Sequence, residues 1–527
     1  MDTGVSIRAT QPAAACPSCG RETPEAELAE ARNYAFWRQP DGACPACVQQ
    51  HLLTTLLTRG HAALHEAIQT AWPLDAEAAF GALPTPLRMH ADPRFAGRGV
   101  TLALIDSGFY PHPDLVSPRN RIRAWINAAE DPLRVIDFTA GQPPRWPQWD
   151  GAHHWQWHGL MTSVAAAGNG FLSRGLYRGL ASEADLVLIQ VRDAAGGITN
   201  DSITRALRWL AHHGAQLGVR VVSMSVSGDP VEPLAGNPLD EAVATLVRQG
   251  LCVVAAAGNS GERRLLPPAT APFALTVGGL DDRNTFDHAA LALWHSNYGE
   301  AGNRVPKPEL VAPSIWVAAP LLPATVAAQE AAELFDRRRR GDTSVEGRIA
   351  ERKLITPHYQ HVEGTSFAAP IAASAICCML EANPALTPLL VRDALIATAH
   401  AVPGAPPERQ GAGVLDAGRA VARALAERHG REAAGHLSPR VTPQGVIFNL
   451  HDHAAQKVEA FGSWSGWREP LPLQQVEPGA WQSPCTALPP GRHQYKFLLD
   501  GARWLDDPAN PQKFPDGLGG LNSLLVT

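Results

Sequence analysis

Short apolar runs alternate with amphipathic runs through the middle of the chain. GVTLALIDSG, DLVLIQV, VRVVSMSVSG, LCVVAAAGNSG and FALTVGGL are dominated by aliphatic residues. Between them, SITRALRWLAHHG and LDEAVATLVRQG repeat apolar residues at helical spacing. Continuous apolar strands that alternate with helices predict a doubly wound, mainly parallel α/β sheet. In such a sheet, ligands and catalytic groups gather at the carboxyl ends of the strands.

The pattern differs on both sides of this region. Before it, HLLTTLLTRGHAALHEAIQTAW has helical spacing, and after it VIFNLHD, KVEAFGSW, HQYKFLLDG and NSLLVT are short strands between turns rich in Pro and Gly. We therefore predict a zinc-ribbon-like segment at 1–50, for the reason given below, and a helical connector at 51–95. The α/β domain follows at 96–430, a linker at 431–440 and a small β-sandwich at 441–527.

Two stretches interrupt the alternating pattern. The first, from Arg119 to Trp155, is rich in Trp and Pro, and the second, LLPATVAAQEAAELFDRRRRGDTSVEGRIAERK, contains four consecutive arginines from Arg337 to Arg340. We expect both to be insertions. The basic run predicts a solvated surface, with a docking patch or a cleavage site in an exposed loop as alternatives.

The composition limits the partners. Hydrophobic residues make up 45% of the 527 positions and charged residues 18%, the balance of a folded soluble protein. A net charge of −6 gives no general attraction to nucleic acid or anionic lipid. The sequence MDTGVSIRATQPAAACPSCG lacks the pattern of a secretory signal, and no apolar run approaches the roughly 20 residues of a membrane helix. We expect a cytoplasmic protein without a nucleic-acid or membrane partner.

The cysteines suggest a metal site near the N-terminus. Two CxxC pairs can supply four thiolates in a tetrahedron, the geometry of a structural zinc site, and in a reducing compartment this is favoured over a redox dithiol. The four predicted ligands are Cys16, Cys19, Cys44 and Cys47. Cys252, Cys377, Cys378 and Cys485 are interpreted as ordinary buried thiols.

Four polar residues stand at the ends of predicted elements. Ser366 opens the apolar helix GTSFAAPIAASAICCML, Asp106 ends the first strand, His158 precedes a run of small residues, and Asn259 follows a buried strand. Each alone has a structural interpretation as a cap, a packed side chain or a turn residue. Together they supply a nucleophile, a general base, a carboxylate that orients the base, and an oxyanion donor.

A rival interpretation uses histidines as metal ligands. His154 and His158 would share a helical face, and His153 is adjacent. The carboxylate of an HExxH motif is absent from this stretch, so a catalytic metal is disfavoured.

The four blocks ALIDSG, HG, AAAGNSG and GTSFAAP resemble, in order, the signature blocks of the subtilisin-like serine proteases. KPELVAP and GAGVLDAGRAV add to the resemblance, which covers about 96 to 426. It implies a subtilisin-type sheet and peptide hydrolysis by an Asp106–His158–Ser366 triad with Asn259 at the oxyanion. It also implies that a segment of SMSVSG pairs with the substrate backbone, namely Ser225, Val226, Ser227 and Gly228.

Three positions depart from the family pattern. Leu160 stands where Thr is usual, and Ser227 and Ser314 stand where Gly is usual. These changes bear on specificity more than on proton transfer. Calcium is common in the family, but no acidic loop here is dense enough to assign its ligands.

The last 85 residues or so resemble the glycogen-binding module of the AMP-activated kinase beta subunit, through AFGSWSGWREP, HQYKFLLDGARWLDDPANP and GLGGLNSLLVT. The resemblance implies α-glucan binding by Trp467, Lys496, Trp504 and Asn522, with Gly520 where a Thr is often found. Alternatively the tryptophans, including Trp464, only pack within the module.

The sequence thus predicts an intracellular serine endopeptidase that acts on proteins or peptides and is localised or regulated by glycogen or another α-glucan. The alternative is a latent or catalytically silent scaffold that binds peptide or glucan. The physiological substrate, the primary-site specificity, the activation trigger and the oligomeric state are not encoded in any motif we identify.

Overall fold

The structure is a computed structural model that describes residues 13–15, 22–24, 82–92, 94–139, 155–173, 175, 177–231, 236–284, 290–302, 304–435, 438–442, 444–452, 454–477, 479–507, 510, 513–516 and 521–527. The predicted zinc ligands Cys16, Cys19, Cys44 and Cys47, the predicted helix at 51–72, and His153, His154 and Gly520 lie outside these residues. The chain divides into two compact units, Met1–Leu425 and Ala426–Thr527.

The first unit contains a nine-stranded sheet with the strand order β10-β9-β8-β7-β3-β6-β4-β5, and β13 also pairs with β9. The strands of this unit are β1 Ala13–Ala15, β2 Glu22–Pro24, β3 Thr101–Asp106, β4 Ile122–Asn127, β5 Arg134–Asp137, β6 Asp185–Gln190, β7 Val219–Met224, β8 Cys252–Ala256, β9 Leu275–Asp281, β10 Ala292–Leu293, β11 Gly299–Glu300, β12 Pro306–Lys307, β13 Leu310–Pro313, β14 Val317–Pro320 and β15 Tyr359–Val362. Neighbouring strands pair in parallel along the path β4-β6-β3-β7-β8-β9-β13. At the edges, β5 pairs antiparallel with β4, and β10 pairs antiparallel with β9. The predicted mainly parallel α/β sheet is confirmed.

Two strands, β4 and the edge strand β5, lie where we predicted an insertion. β4 runs within the stretch from Arg119 to Trp155 and pairs with β6, so that Trp125 lies opposite Leu188. Five of its six residues are buried. The Arg and Trp residues of IRAWIN masked the apolar pattern, because their long side chains are assigned to the surface by composition alone.

Helices cover both faces of the sheet. The helices of the described chain are α1 Thr85–Arg88, α2 Pro113–Val116, α3 Gln156–Ala167, α4 Asn200–His213, α5 Pro238–Arg248, α6 Val326–Arg339, α7 Glu346–Glu351, α8 Thr365–Ala382, α9 Pro388–Thr398, α10 Pro407–Gln410 and α11 Ala417–Gly435. Alternate residues of β3 face the helices on opposite sides of the sheet. Leu102 and Leu104 pack with α3 and α8 on one face. Ala103 and Ile105 pack with α4 and α5 on the other face.

Helix α8 is the central helix of this unit. Its 18 residues are apolar enough to be compared with a membrane span, but 89% of that window is buried inside the protein. Its small residues, such as Ala368 and Ala372, are fully buried and allow close approach to the sheet. The helix is therefore a core element that carries Ser366 at its first turn.

The arginine run is part of a helical insertion between β14 and β15, where we had expected a solvated basic face or an exposed loop. Arg337 to Arg339 form the last turn of α6, where the helix dipole favours positive charge. All four arginines pair with acids of the same insertion: Arg337 with Asp342, Arg338 with Glu346, and Arg339 and Arg340 with Asp336. The insertion also has its own small core, which includes Leu334 and Phe335. A free basic patch is thus not formed.

The second unit is an antiparallel β structure, as the sequence predicted. Its strands are β16 Arg440–Thr442, β17 Gly445–Ile447, β18 Asn449–His451, β19 Val458–Gly462, β20 Leu471–Glu477, β21 Ala480–Gln482, β22 Arg492–Leu499, β23 Arg503–Leu505, β24 Lys513–Pro515 and β25 Leu521–Val526. The order is β18-β21-β20-β19-β22-β25-β24, with β23 paired to β22 and β16 to β17. Phe448, Tyr495, Phe497 and Leu499 form its buried core.

Candidate active site

Asp106 and His158 lie together at the carboxyl end of the central strand β3. The Asp106 side chain is 1% exposed, and its Oδ1 atom is 2.6 Å from His158 Nδ1. The same carboxylate accepts hydrogen bonds from the Ser107 N–H at 2.6 Å and from Thr162 Oγ1 at 2.8 Å. These partners fix both carboxylate oxygens, so that one of them points at the imidazole.

The hydrogen bond sets the tautomer of His158. An ionised carboxylate only accepts, so Nδ1 carries the proton and Nε2 has the lone pair with which a general base takes a proton. Burial and the charge of Arg192 lower the pKa of His158, but the charge of Asp106 and its hydrogen bond raise it by more, so this pKa lies above the ordinary 6.5. The carboxylate thus stabilises the imidazolium that proton transfer would form.

The glycine after the histidine allows this contact. A Cβ atom on Gly159 would lie 2.0 Å from the carbonyl oxygen of Gly108. Any side chain there would push α3 away from the turn that follows Asp106, and with it His158. The HG pair is therefore a packing requirement of the Asp106–His158 contact.

Asn259 is oriented by the residue that precedes Ser366. Its Oδ1 atom accepts from the Thr365 N–H at 2.9 Å and from the Thr365 hydroxyl at 2.7 Å. Because a backbone N–H can only donate, the amide must present Oδ1 to Thr365 and Nδ2 to the other side. The Gly258 N–H in turn donates to the Thr365 hydroxyl at 3.0 Å, which closes the clamp.

Two donors converge in front of Gly364. This residue has φ of +135°, a conformation that favours glycine, and it precedes the first turn of α8. A Cβ atom built there would lie 3.3 Å from Asn259 Nδ2 and 3.7 Å from the Ser366 backbone nitrogen. The first N–H groups of a helix lack intrahelical partners, so both donors can serve an oxygen atom placed at this point.

Ser225 is bound to the backbone of Ser366. Pro370 lies inside α8 and has no N–H to donate to the carbonyl four residues earlier, which belongs to Ser366. The hydroxyl of Ser225 donates to that carbonyl at 2.8 Å. The proline of the GTSFAAP block and the first residue of the predicted substrate segment are thereby linked.

The predicted substrate segment follows the carboxyl end of β7, which ends at Met224. Ser225 and Val226 are buried and Ser227 is exposed. The Gly228 N–H donates to Pro267 O at 2.9 Å, which ties the segment to the loop after Asn259. Its backbone therefore runs past the serine-bearing turn, with one exposed side chain.

The structure brings the predicted catalytic residues into two contacting groups. Asp106 and His158 form one, and Asn259 and Ser366 are joined through Thr365 in the other, where the predicted substrate-binding Ser225 binds the Ser366 carbonyl. The groups meet where the imidazole of His158 lies 6.3 Å, between ring centroids, from Phe367, the neighbour of Ser366. Within the described part of the chain, no group of three or more His, Cys, Asp or Glu side chains could hold a metal ion.

Several supporting residues were missed by sequence reasoning. The Thr162 hydroxyl donates to Asp106, and the Thr365 hydroxyl donates to Asn259. Asn297 accepts from the N–H groups of Ser260 and Gly261 at 2.7 and 3.1 Å and so fixes the loop after Asn259. Thr365 could have been noticed as the residue between Gly364 and Ser366, whereas the other two carry no local signal. Cys485, predicted to be buried, is exposed, because it lies at the surface of the second unit.

The predicted glucan-binding residues share one face of the second unit. On β22, Lys496 alternates with the buried Tyr495 and Phe497, and Phe461 and Trp504 lie on the same side as Lys496 by register. Trp467 and Trp504 are 36% and 51% exposed, and their ring centroids are 6.5 Å apart. Trp464 instead packs against the core, as the alternative interpretation expected.

The two polar residues of this face are already paired within the module. Lys496 Nζ is 2.6 Å from Asp516 Oδ2, and Asn522 Nδ2 donates to Gln494 at 2.8 Å. An ammonium group has three donors, so Lys496 retains two for another acceptor. Both side chains are thus held in place beside the exposed tryptophans.

Two family models match the chain. Residues 97–413 match the subtilase family of peptidases. Residues 446–526 match the glycogen recognition site of AMP-activated protein kinase. The first match covers the sheet and both groups of candidate catalytic residues, and the second covers the face with the exposed tryptophans.

Individual proteins are similar over parts of the chain. Serine protease AprX of Bacillus subtilis (strain 168) is 28% identical over 338 residues, which are 62% of this chain and 66% of that protein. Subtilisin Savinase of Lederbergia lenta is 31% identical over 188 residues, 36% of this chain and 58% of that protein. The chain therefore spans less than two thirds of the length of these relatives. Among solved structures, Sphericase is 21% identical with a TM-score of 0.41, over 58% of this chain and 84% of that one.

Proposed function

Since the chain belongs to the subtilase family, we propose that it is a serine endopeptidase that hydrolyses peptide bonds of proteins or peptides through Ser366. The observation that carries the proposal is the pairing of His158 Nδ1 with Asp106, which leaves Nε2 free to act as a base next to the first turn of α8. A base nitrogen with an available lone pair beside a helix that carries serine in its first turn is the arrangement that nucleophilic catalysis requires.

The steps follow from the roles of these atoms. Ser366 Oγ attacks the scissile carbonyl carbon while His158 takes its proton, and Asp106 stabilises the imidazolium. The oxygen that becomes negative is stabilised by Asn259 Nδ2 and the Ser366 N–H, which face the point in front of Gly364. His158 then protonates the leaving amine, and a water molecule activated by the same base releases the acyl group.

We propose that the substrate lies in an extended form along the segment Ser225–Gly228. An extended peptide adds to an exposed backbone edge through main-chain hydrogen bonds. The hydrogen bond from Ser225 to the Ser366 carbonyl supports this, because it holds the segment at a fixed distance from the nucleophile. Ser227, where the family usually has glycine, places an exposed side chain beside this path and is expected to influence specificity.

A fluorophosphonate probe tests the catalytic proposal, because it labels a serine only when that serine is activated. We expect the wild type to be labelled, Ser366→Ala and His158→Ala not to be, and Ser344→Ala, which changes an exposed serine of the helical insertion, to be labelled like wild type. Labelling that survives in Ser366→Ala contradicts the assignment of the nucleophile. An unlabelled wild type, also in the presence of glycogen, favours the silent scaffold.

We also propose that the second unit binds α-glucan and localises the peptidase on it. The supporting observation is the pair of exposed indoles, Trp467 and Trp504, beside the fixed Lys496 and Asn522, since aromatic faces stack on sugar rings. Co-sedimentation with glycogen tests this. Trp467→Ala and Trp504→Ala should stay in the supernatant, while Val476→Ala, another exposed apolar residue of the unit, should sediment like wild type.

A third proposal concerns Cys16, Cys19, Cys44 and Cys47, which we propose bind one structural zinc ion in a reducing, cytoplasmic environment. The spacing of the two CxxC pairs supports it. We expect a thiol reagent to release one equivalent of zinc from the wild type. It should release none from the double variant Cys16→Ser, Cys44→Ser. Zinc retained by the double variant contradicts it.

A further inference from the structure

The segment that precedes β3 is buried against the active-site end of the sheet. We call residues 83–90 the strap; they precede the part of the chain that matches the subtilase model. Leu83, Arg88 and Met89 of the strap are 3%, 9% and 1% exposed. The Leu83 N–H donates to Asn284 Oδ1 at 2.7 Å, just after β9. The strap is therefore an integral part of this end of the sheet.

Arg88 makes the strongest contacts of the strap. Its Nε and Nη2 atoms bind the two oxygens of Asp282 at 2.6 and 2.8 Å, and its side chain is 0% exposed. The same guanidinium donates from Nη1 to the carbonyl of Trp316 at 2.7 Å and from Nη2 to that of Ile315 at 2.8 Å. One buried cation thus holds a carboxylate and two consecutive carbonyls.

Those carbonyls belong to the turn that holds Gly364. Ser314, immediately before them, accepts a hydrogen bond from the Gly364 N–H at 2.7 Å. Trp316 has φ of +62°, an unfavourable conformation for a bulky residue, and its indole donates to Asp281 at 3.0 Å. The turn 314–316 therefore needs its side-chain contacts to keep its shape, and Arg88 supplies two of them.

We propose that Arg88 is a positioning residue for the oxyanion site, acting through the turn 314–316 on Gly364. This inference rests on the proposed peptidase function. Without the guanidinium, two carbonyls and the Asp282 carboxylate lose a buried partner, and the turn is released. The Ser314 carbonyl moves with it, so the Gly364 turn no longer aims Asn259 Nδ2 and the Ser366 N–H at one point.

The kinetic test compares Arg88→Ala with Arg94→Ala in the full chain. Arg94 pairs with Asp92 at 2.5 Å just beyond the strap, and among the described residues its hydrogen bonds go to Asp92 alone, so it is a matched loss of an ion pair. A shift of the oxyanion donors reduces the stabilisation of the transition state more than it reduces the binding of substrate. We expect kcat of Arg88→Ala to fall about tenfold to a hundredfold with KM nearly unchanged, and Arg94→Ala to keep wild-type kcat.

Two further variants separate position from stability. Arg88→Lys keeps a charge opposite Asp282 but cannot fork to both carbonyls, so it should retain most of the thermal stability and still lose kcat. Asp282→Asn keeps Arg88 on the carbonyls, so it should lose thermal stability and retain kcat. If Arg88→Ala does not fold, this pair decides the question. Arg88 variants that lose only melting temperature, with kcat intact well below it, overturn the proposal.

A readout without substrate keeps the two proposals distinguishable. Hydrogen–deuterium exchange of the peptide that covers 359–367 reports the Gly364 turn even in a protein that cleaves nothing. Faster exchange there in Arg88→Lys, and not in Arg94→Ala, supports the positioning role even if the wild type proves inactive. Unchanged exchange together with unchanged kcat refutes the positioning role and leaves the peptidase proposal standing.

Discussion

Asp106 and Asn259 are both oriented by neighbours that permit only one arrangement. Asp106 accepts from a backbone N–H and a threonine hydroxyl besides His158, and Asn259 accepts from the Thr365 N–H. Since a backbone N–H can only donate, the Thr365 N–H directs the amide nitrogen of Asn259 to the other side, and Asp106 Oδ1, which the Ser107 N–H holds, faces His158. Such fixed dipoles need little reorganisation when charge develops, which is the main source of electrostatic catalysis.

Replacing the carboxylate should change both rate and pH dependence. In Asp106→Asn the charge that raises the pKa of His158 is lost, so the acid limb of kcat against pH should move to lower pH. The maximal kcat should fall by about 10⁴-fold, because the amide favours the wrong tautomer. Asp137→Asn, which changes an exposed carboxylate, is the control. An acid limb that does not move would falsify the role of His158 as base.

The same pair has a consequence for stability. Because the folded-state pKa of His158 is raised above 6.5, the interaction stabilises the fold below that pH and its contribution is lost as pH rises through the raised value. The proposed catalytic base and the stabilising cation are therefore opposite protonation states of one residue.

A methyl group at Gly364 should occupy the oxyanion point. In Gly364→Ala the new Cβ lies 3.3 Å from Asn259 Nδ2, and we expect kcat to fall by about 10²-fold or more. Gly341→Ala is a matched control, because Gly341 also has positive φ, +89°, but has no atom within 4 Å of the added Cβ. Steady-state kinetics on titrated enzyme measure the difference. Equal losses in both variants would mean that backbone strain alone is responsible.

At the scale of elements, β15 is joined to α2 by a buried hydrogen bond. Tyr359 donates to Asp114 Oδ2 at 2.6 Å, and both residues are fully buried. Burial raises the pKa of Asp114 to about 6 although the Tyr359 hydrogen bond opposes this. β15 leads directly into the Gly364 turn, so this contact anchors the approach to α8 from the other side of the unit.

Removing that hydroxyl should destabilise the fold more at high pH. At pH 8 Asp114 is ionised, and Tyr359→Phe leaves a buried charge short of a donor, at a cost of about 1–3 kcal/mol. At pH 5 the carboxyl is largely protonated, since its pKa is about 6, and the loss should be smaller. Urea unfolding at both pH values, with Tyr298→Phe as control, measures this. A loss independent of pH contradicts the assignment.

The elements differ in how far sequence predicts them. Asp106, His158, Asn259 and Ser366 could be predicted because each stands next to a recognisable run of apolar or small residues, which is a local signal. The bond from Arg88 to Asp282 joins residues 194 positions apart, and no local pattern encodes it. β4 was missed because its Arg and Trp broke the apolar run. The arginine run is solvated, as predicted, with side chains 46–77% exposed, but acidic partners within the insertion pair with all four arginines, so that a free basic patch is not formed.

At the scale of the whole molecule, the two family matches, 97–413 and 446–526, do not overlap, and each has a separate core. Chemistry and glucan binding should therefore be separable by mutation. The two functions would be combined only through the location of the enzyme, which raises the local concentration of substrates on the same particle.

A kinetic comparison tests that separation. Trp504→Ala should cleave a free peptide with wild-type kcat and KM, because no residue of the candidate active site changes. It should cleave a protein adsorbed on glycogen several-fold more slowly than wild type at low enzyme concentration. Equal rates on the adsorbed protein contradict localisation, and a loss on the free peptide would show that the units are coupled.

The bond between Ser225 and the carbonyl that Pro370 leaves free also concerns thermal motion. Helix ends fray, and a nucleophile in the first turn would share that motion. Here the Ser366 carbonyl is held by Ser225, the residue that follows the central strand β7, so the first turn of α8 is fastened to the sheet. On warming, the helical insertion between β14 and β15 should therefore become mobile at a lower temperature than the first turn of α8, which faces His158.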